Sequence, residues 1–310
     1  MSLMISVVVP IFNERDNIPL LYEKLCDVIG EEDEIIFVDD GSNDGSYEMI
    51  KELHSSDKRV KCIRFSRNFG KTAALMAGFE EAKGEAIITM DGDLQNDPED
   101  IPKILEMLKE YDAVSGWRYD RKDPFLSKKL PSLISNKISR WLTGLKLHDF
   151  NCGLKAYRKE CLADLELYGD MHRYIPAVLA WKGYKIGEVK VKHYPRKHGK
   201  SKYGFTRLFR GLFDLINFKF WAGYSTRPLH FFGGVGGIMF LLGFISALYL
   251  VILKYFYGEK LSNRPLLWLA ILLMIMGFQL FMTGFLAEIM IRNYYSYPGK
   301  KMYVIKEKLG

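Results

Sequence analysis

The chain has 310 residues, 48% of them hydrophobic, enough to bury a full-sized core and to carry an appendage beside it. The net charge of +7 hides a division: residues 1–100 hold 10 Lys/Arg against 22 Asp/Glu, and the remainder 34 against 15. A basic half suits an anionic membrane face or phosphorylated substrates; because it follows an acidic pocket and adjoins apolar runs, nucleic acid is not expected as a partner.

Met4 to Val9 opens the chain as an apolar stretch with no basic n-region or cleavage site, so no signal peptide is expected. Cys26, Cys62, Cys152 and Cys161 form no CxxC pair and no zinc spacing, and read as reduced thiols in a cytosol-facing domain. Ile5 to Pro10 reads as a buried strand stopped by proline, followed by the loop Ile11-Phe12-Asn13-Glu14. A helix is expected from about Asn17 to Ile29, with Leu20, Leu21, Leu25 and Val28 at helical spacing. Glu34 to Val38 gives a second strand, ending in the polar loop Asp39 to Gly45 ahead of a helix at Ser46 to Leu53. Val60 to Phe65 and Lys71 to Ala82 repeat the unit, and Ala86 to Met90 is a fourth strand ending at Asp91-Gly92-Asp93. This alternation predicts a mainly parallel sheet with helices on both faces, binding its ligand outside the carboxyl ends of the strands. Glu14, Asp40, Asp91 and Asp93 should therefore share one crevice. Two carboxylates at i and i+2 around a glycine can reach one hard divalent cation, which would also bind substrate phosphate. An isolated Asp-Gly-Asp reads equally well as a solvated turn; the company of two further acidic loops favours the metal.

VVPIFNE, VDDGSNDGS and DGDLQNDPE, in this order, resemble the nucleotide-sugar-binding half of glycosyltransferase family 2, over roughly residues 4–205. The resemblance implies the GT-A fold, an α/β Rossmann-like catalytic domain. It implies that Pro10, Phe12, Glu14, Val38 and Asp40 hold the nucleoside. By the same resemblance Asp91 and Asp93, with Gly92 and Gln95 beside them, hold the diphosphate and a Mg²⁺ or Mn²⁺ cofactor. Further on, Arg118 follows a short strand, Ala113 to Ser115, and is placed to meet a phosphate. Lys128, Lys129 and Asn136 lie on or near a helix, where a solvated basic face is the commoner reading; Lys129 is carried as a candidate phosphate ligand. The segment from His148 to Arg158 resembles the D-x-x-x-G-[FL]-[KR]-x-[YF]-R stretch of polyprenyl-phosphate glycosyltransferases, which implies that Asp149 lies near donor sugar and acceptor. Taken alone, His148 and Asp149 read as well as loop caps. Tyr194 to Tyr203 sets Arg196, Lys197, His198, Lys200 and Lys202 around a glycine, a loop suited to clamping phosphate. It also resembles the R-x-x-G-x-S-K loop of dolichyl-phosphate mannose and bactoprenol glucose transferases, with Arg196, Ser201 and Lys202 in matching places.

Phe205 to Trp221 alternates apolar and basic residues at helical spacing, an amphipathic helix for a membrane interface. Phe231 to Leu253 contains no formal charge and, like Pro265 to Ala287, is long enough to span about 30 Å of hydrocarbon. The division expected is a catalytic domain at 1–204, a juxtamembrane region at 205–228, a transmembrane hairpin at 229–290 and a cytoplasmic tail at 291–310. Lys and Arg are dense before the first span and after the second, which puts both termini and the catalytic domain on the cytoplasmic side of the plasma membrane.

A nucleotide-sugar site tied to a membrane anchor points to a lipid acceptor. The expectation is an inverting transferase that moves a hexose to polyprenyl phosphate for cell-envelope glycoconjugates. UDP-glucose is the first donor considered, then UDP-GlcNAc or GDP-mannose. Arg118 and the Arg196 to Lys202 loop would hold the acceptor phosphate or leaving group, and Asp93 or Asp149 would position the nucleophile; a phosphate monoester is already anionic and needs no strong base. The resemblance also implies a homo-oligomer, set at a tetramer, packed through the hairpins. Two alternatives stand: a processive polysaccharide synthase, which usually carries Q-x-x-R-W and more spans than this sequence has, and a catalytically silent membrane scaffold.

Overall fold

The computed structural model describes residues 3–119, 136–137, 139–140, 143–163, 165, 167, 171–195, 228–258, 260–261, 264–295 and 303–310. The interfacial helix expected at Phe205 to Trp221 lies outside them, as does the rest of the expected juxtamembrane region before Pro228. The chain forms two compact units, residues 1–219 with 301–310, and residues 220–300.

The first unit is built on one sheet. Its strands are β1 (Ile5–Ile11), β2 (Glu34–Asp39), β3 (Val60–Phe65), β4 (Ala86–Thr89), β5 (Ala113–Arg118), β6 (Lys155–Arg158), β7 (Ile186–Val191) and β8 (Ile305–Leu309). They lie in the order β7-β5-β6-β4-β1-β2-β3-β8. β1, β2, β3 and β4 run parallel, and β5 runs parallel to β7, but β6 runs antiparallel to both β4 and β5. The sheet is therefore mixed. β1, β2 and β4 read as near-continuous apolar runs because helices cover both faces of a parallel sheet.

The helices of this unit are α1 (Ile18–Cys26), α2 (Ser46–Ser56), α3 (Lys71–Glu81), α4 (Ile101–Met107), the single turn α5 (Lys159–Leu162) and α6 (Ile175–Trp181). α3 packs its small residues on the sheet. A Cβ on Gly78 would come within 2.2 Å of Val8 Cγ1, so only glycine lets this helix lie so close to β1. That approach fixes where the first residue of α3, Lys71, meets the sheet edge.

Two strand boundaries differ from the sequence reading, for physical reasons. β1 does not stop at Pro10 but pairs through it, Pro10 with Val38 and Ile11 with Asp39. Pairing with β4 has already ended at Val8 and Thr89, so the donor that proline lacks is not needed on that side. β5 runs three residues further than expected, to Arg118, because β7 pairs with it as far as Val191. β8 comes from beyond the second apolar helix, lies antiparallel to β3 and closes that edge, with Tyr303 stacked on Phe65 at 4.9 Å.

The second unit is a pair of helices, α7 (Pro228–Tyr257) and α8 (Pro265–Tyr295), each long and apolar enough to cross a membrane, with 18-residue stretches inside Leu229–Tyr257 and Pro265–Met290 whose mean hydropathies are 2.4 and 2.2. They run antiparallel along a seam of small residues. A Cβ on Gly236 would lie 2.5 Å from the Gly277 carbonyl, one on Gly243 2.7 Å from that of Ala270, and one on Gly284 3.2 Å from Leu229 Cα. The contacts recur every seven residues on both helices, the spacing of a close helix pair. Most other large apolar side chains of the pair, such as Ile238, Leu241, Ile275 and Phe278, are exposed.

Candidate active site

The strand order reverses between β1 and β4, which opens a crevice at the carboxyl end of the sheet where a doubly wound fold takes its ligand. The loops around that crevice are tied to one another. Asn13 N–H donates to Ser42 Oγ at 2.9 Å, Asn43 N–H to Asn13 Oδ1 at 3.0 Å and Glu14 N–H to Ser46 Oγ at 3.1 Å, joining the loops after β1 and β2. The Glu14 carboxylate in turn accepts from Asn17 Nδ2 at 2.6 Å.

Asp40 joins the second loop to the third. Its buried carboxylate accepts the backbone N–H groups of Phe69, at 2.6 Å, and Gly70, at 2.9 Å. Burial pushes its pKa up to about 6, although both N–H donors oppose the rise. Lys71, the next residue, donates from Nζ to Asp91 Oδ1 and so joins the third loop to the fourth. Burial works to raise the Asp91 pKa, but Lys71, and beyond it Lys155 and Arg118, hold it below the usual carboxylate range.

Among the described residues, the non-glycine positions with positive φ are Asn13, at 53°, and Leu94, at 58°. One lies in the loop after β1 and the other directly after Asp93, so backbone strain concentrates on the two loops that flank the crevice. Asp93 is buried and accepts Gln95 N–H at 3.2 Å. Gly92 packs closely on β1: a Cβ there would lie 2.5 Å from Ile11 Cδ1, and the end of that side chain would have to shift. Gln95 ties the turn to the segment leading into the basic loop, its carbonyl accepting Tyr194 N–H at 3.0 Å. Pro10 and Val38 are paired strand residues below the crevice, and Phe12 is half-buried at its rim.

On the other side stands a charge pair. Arg118 Nε and Nη2 donate to the two oxygens of Asp149 at 2.6 and 2.9 Å. Burial opposes the guanidinium charge, and Asp149 more than restores it, raising the Arg118 pKa. The two residues read separately from the sequence are thus one bidentate unit. Its backbone is held by Glu188 of β7, which accepts the N–H of His148 at 2.7 Å and of Asp149 at 3.1 Å, while its second oxygen lies 2.6 Å from His148 Nδ1. The His148 ring stacks on Trp117 at 4.1 Å. Lys155 lies beneath, buried on β6, donating to Phe150 O at 3.3 Å; burial lowers its pKa to about 8.

Lys129, Arg196, Ser201 and Lys202 fall outside the described residues, as do Lys128 and the rest of the basic loop beyond Pro195. Asn136 is described and donates from Nδ2 to His148 O at 2.8 Å. Lys71, Lys155 and Glu188 were not singled out from the sequence. For Lys71 a signal existed, since it follows a glycine in a strand-to-helix loop on the same edge as the acidic loops.

The Asp-Gly-Asp turn fits a hard divalent cation. Asp91 is a third exposed, its donors are carboxylate oxygens, and Gly153 stands against it where a Cβ would lie 2.5 Å from the carboxyl group. Among the described residues no His, Cys, Asp or Glu joins the two aspartates in a cluster of three, so donor phosphate and water would complete the shell.

A mixed sheet of this order, with acidic loops at its switch point, is a GT-A-like glycosyltransferase domain. The chain belongs to glycosyl transferase family 2, whose family model matches residues 6–165. A dodecaprenyl-phosphate galacturonate synthase from Rhizobium johnstonii is 40% identical to it, covering 99% of this chain and 93% of the relative. An undecaprenyl-phosphate 4-deoxy-4-formamido-L-arabinose transferase from Pectobacterium atrosepticum is 35% identical, covering 99% and 94%. Among solved structures, glucosyl-3-phosphoglycerate synthase from Mycobacterium tuberculosis, in complex with Mn²⁺, UDP and glucosyl-3-phosphoglycerate, superposes with a TM-score of 0.56 at 17% identity. That match covers 71% of this chain and 80% of the other, and shows the shared fold.

Proposed function

We propose that the protein transfers a glycosyl group from a nucleotide sugar to a polyprenyl phosphate at a membrane surface. The observation that carries this reading is the extent of the similarity: relatives named for polyprenyl-phosphate substrates match the chain nearly end to end, apolar hairpin included. The first donor proposed is a nucleotide-linked hexuronate of the galacturonate type, followed by a 4-amino-4-deoxy-arabinose derivative. UDP-glucose, favoured from the sequence, moves behind both because the relatives are named for modified sugars.

Asp91 and Asp93 would hold Mg²⁺ or Mn²⁺, which when bound supplies positive charge to the departing diphosphate. Pro10, Phe12, Glu14, Val38 and Asp40 would form the nucleoside end of the site, Asp40 accepting an N–H of the base with lone pairs its backbone donors leave. The Arg118–Asp149 unit would fix the acceptor phosphate opposite the anomeric carbon, Asp149 turning the guanidinium fork and Arg118 supplying charge. In-line attack by the anionic phosphate oxygen would invert the anomeric centre. Lys129, Arg196, Ser201 and Lys202 are proposed as further phosphate contacts.

The second unit would be a membrane hairpin with the catalytic unit and both termini in the cytoplasm. Chain connectivity supports this, because residues 305–309 rejoin the sheet of the first unit after two consecutive spans. The lipid-facing surfaces of α7 and α8 are also where copies would meet in the proposed tetramer.

The test is transfer of radiolabel into an organic-extractable lipid by the purified full-length chain, given undecaprenyl or dodecaprenyl phosphate, Mn²⁺, and UDP-galacturonate, UDP-glucuronate, UDP-4-deoxy-4-formamido-arabinose, UDP-glucose, UDP-GlcNAc or GDP-mannose. Metal-dependent labelling from one modified sugar is the expected result. Labelling from UDP-glucose alone would restore the first expectation for the donor, and no lipid labelling from any donor would overturn the acceptor.

A further inference from the structure

We propose that Lys71 is an internal counter-ion that makes cation binding at Asp91 depend on the nucleotide. The inference rests on the metal reading of Asp91 and Asp93 given above and concerns the order in which that site fills.

The Lys71 ammonium is hydrogen-bonded to Asp91 Oδ1, an oxygen that could also serve a divalent cation. Asp91 has a second oxygen and further lone pairs, so Lys71 does not block a cation outright, but an ammonium on the same carboxylate sets a like charge close to the cation and weakens its hold. Lys155, and Arg118 despite its pairing with Asp149, add positive charge within electrostatic reach of Asp91, so a cation arriving alone meets like charge chiefly from Lys71 and then from these two. The backbone of Gly153 closes another side of the carboxyl group. A cation is therefore held weakly at Asp91 while Lys71 stays on it, and tightly once Lys71 withdraws.

The surroundings of Lys71 let its side chain withdraw while its backbone stays. On one side Asp40 holds the N–H groups of Phe69 and Gly70; on the other, the hydroxyl of Thr72 lies 2.9 Å from His172 Nδ1. Between these anchors the lysine side chain is about a quarter exposed, and four methylenes allow its amine to turn from Asp91. A nucleotide diphosphate supplies what is missing. It brings oxygens for the cation and negative charge for the released ammonium, and its nucleoside end would lie against Asp40, whose carboxylate holds the N–H groups of the two residues before Lys71. Nucleotide and cation then favour each other's binding by the same factor, as linkage requires.

The experiment measures Mn²⁺ uptake by electron paramagnetic resonance on the full-length chain in detergent, without nucleotide and with UDP, for wild type, Lys71→Gln and Lys71→Arg; a parallel series uses GDP. Wild type should take up Mn²⁺ weakly alone and much more tightly with UDP. Removing one nearby charge in Lys71→Gln should tighten uptake of Mn²⁺ alone by about tenfold or more and shrink the enhancement by UDP, while Lys71→Arg, which keeps the charge, should follow wild type. The inference is overturned if Lys71→Gln binds Mn²⁺ alone no tighter than wild type, or if UDP enhances uptake equally in both. Should wild type take up no Mn²⁺ even with UDP or GDP, the metal reading itself falls and this inference with it.

Discussion

Two groups of loops at the carboxyl end of the sheet hold their candidate carboxylates differently. On one side, after β2 and β4, Asp40 accepts two backbone N–H groups and Asp93 accepts that of Gln95. On the β6-β5-β7 side the polar side chains pair with one another, Arg118 with Asp149 as an ion pair and Glu188 with the His148 ring at 2.6 Å. The first side is proposed to attract a cation and the second to hold a geometry. Lys71 on Asp91, like Arg64 on Asp39, brings a cationic side chain to a carboxylate of the first side.

If this contrast is right, removing a charge should abolish chemistry on the first side but cost stability on the second. The largest loss is expected for Asp91→Asn: metal-dependent transfer should fall by roughly three orders of magnitude, in line with loss of a principal electrostatic element of a catalytic site, while the melting temperature changes little. Near-normal turnover would remove Asp91 from the metal site. On the second side, Arg118→Met leaves Asp149 buried without its partner and should destabilise the fold by about 3–5 kcal/mol, measured by denaturant titration. The double variant Arg118→Met with Asp149→Leu should recover much of that stability and none of the transfer. Recovery of both, or of neither, would show that the pair is not the positioning unit described.

A smaller effect is expected at Glu188, which touches the pair only through the backbone of residues 148 and 149. Glu188→Ala removes a charged acceptor from two N–H groups and should cost about 2–3 kcal/mol, with a lower kcat and a nearly unchanged KM for the donor. Glu188→Gln keeps one carbonyl acceptor and should recover part of both. A change confined to donor KM would instead assign Glu188 to the first half of the site.

The same contrast explains what could be read in advance. In the parallel half each strand is an apolar run, each loop follows directly, and the candidate carboxylates sit at the junction, so three acidic loops at one end of the sheet are legible from local order. The other half depends on distant partners: Arg118 meets Asp149 31 residues on, and His148 meets Glu188 across 40. Pattern alone does not show which basic and acidic residues pair at such range. β6 interrupts the parallel order because a strand inserted between β4 and β5 can run either way, and its four residues, Lys155 to Arg158, carry no clear alternation. β8 was read as tail for a related reason. Three of the five residues from Ile305 to Leu309 are charged, and the open edge of β3 makes the segment a strand. The hairpin was legible from length and hydropathy, whereas its seam was not, because a glycine spacing of seven gains meaning only once the facing helix is known.

The smallest effect expected is a pH dependence on the first side, centred on Asp40. Burial raises its pKa to about 6, so between roughly pH 4 and 6 the unfolded chain has lost this proton while the folded chain still holds it. Stability contributed by Asp40 is therefore complete below about pH 4 and is lost as pH rises through about 6; keeping this carboxylate ionised at neutral pH costs the fold something. Nucleotide binding should run the other way. If the ionised carboxylate accepts an N–H of the base, UDP affinity is full above about pH 7 and falls about tenfold for each unit below 6, because only the ionised fraction binds. Calorimetric titration of UDP between pH 5 and 8 reads this directly, and Asp40→Asn should flatten the profile at a lower affinity. A profile unchanged in Asp40→Asn would leave Asp40 with its loop-holding bonds to Phe69 and Gly70 and no direct part in recognising the base.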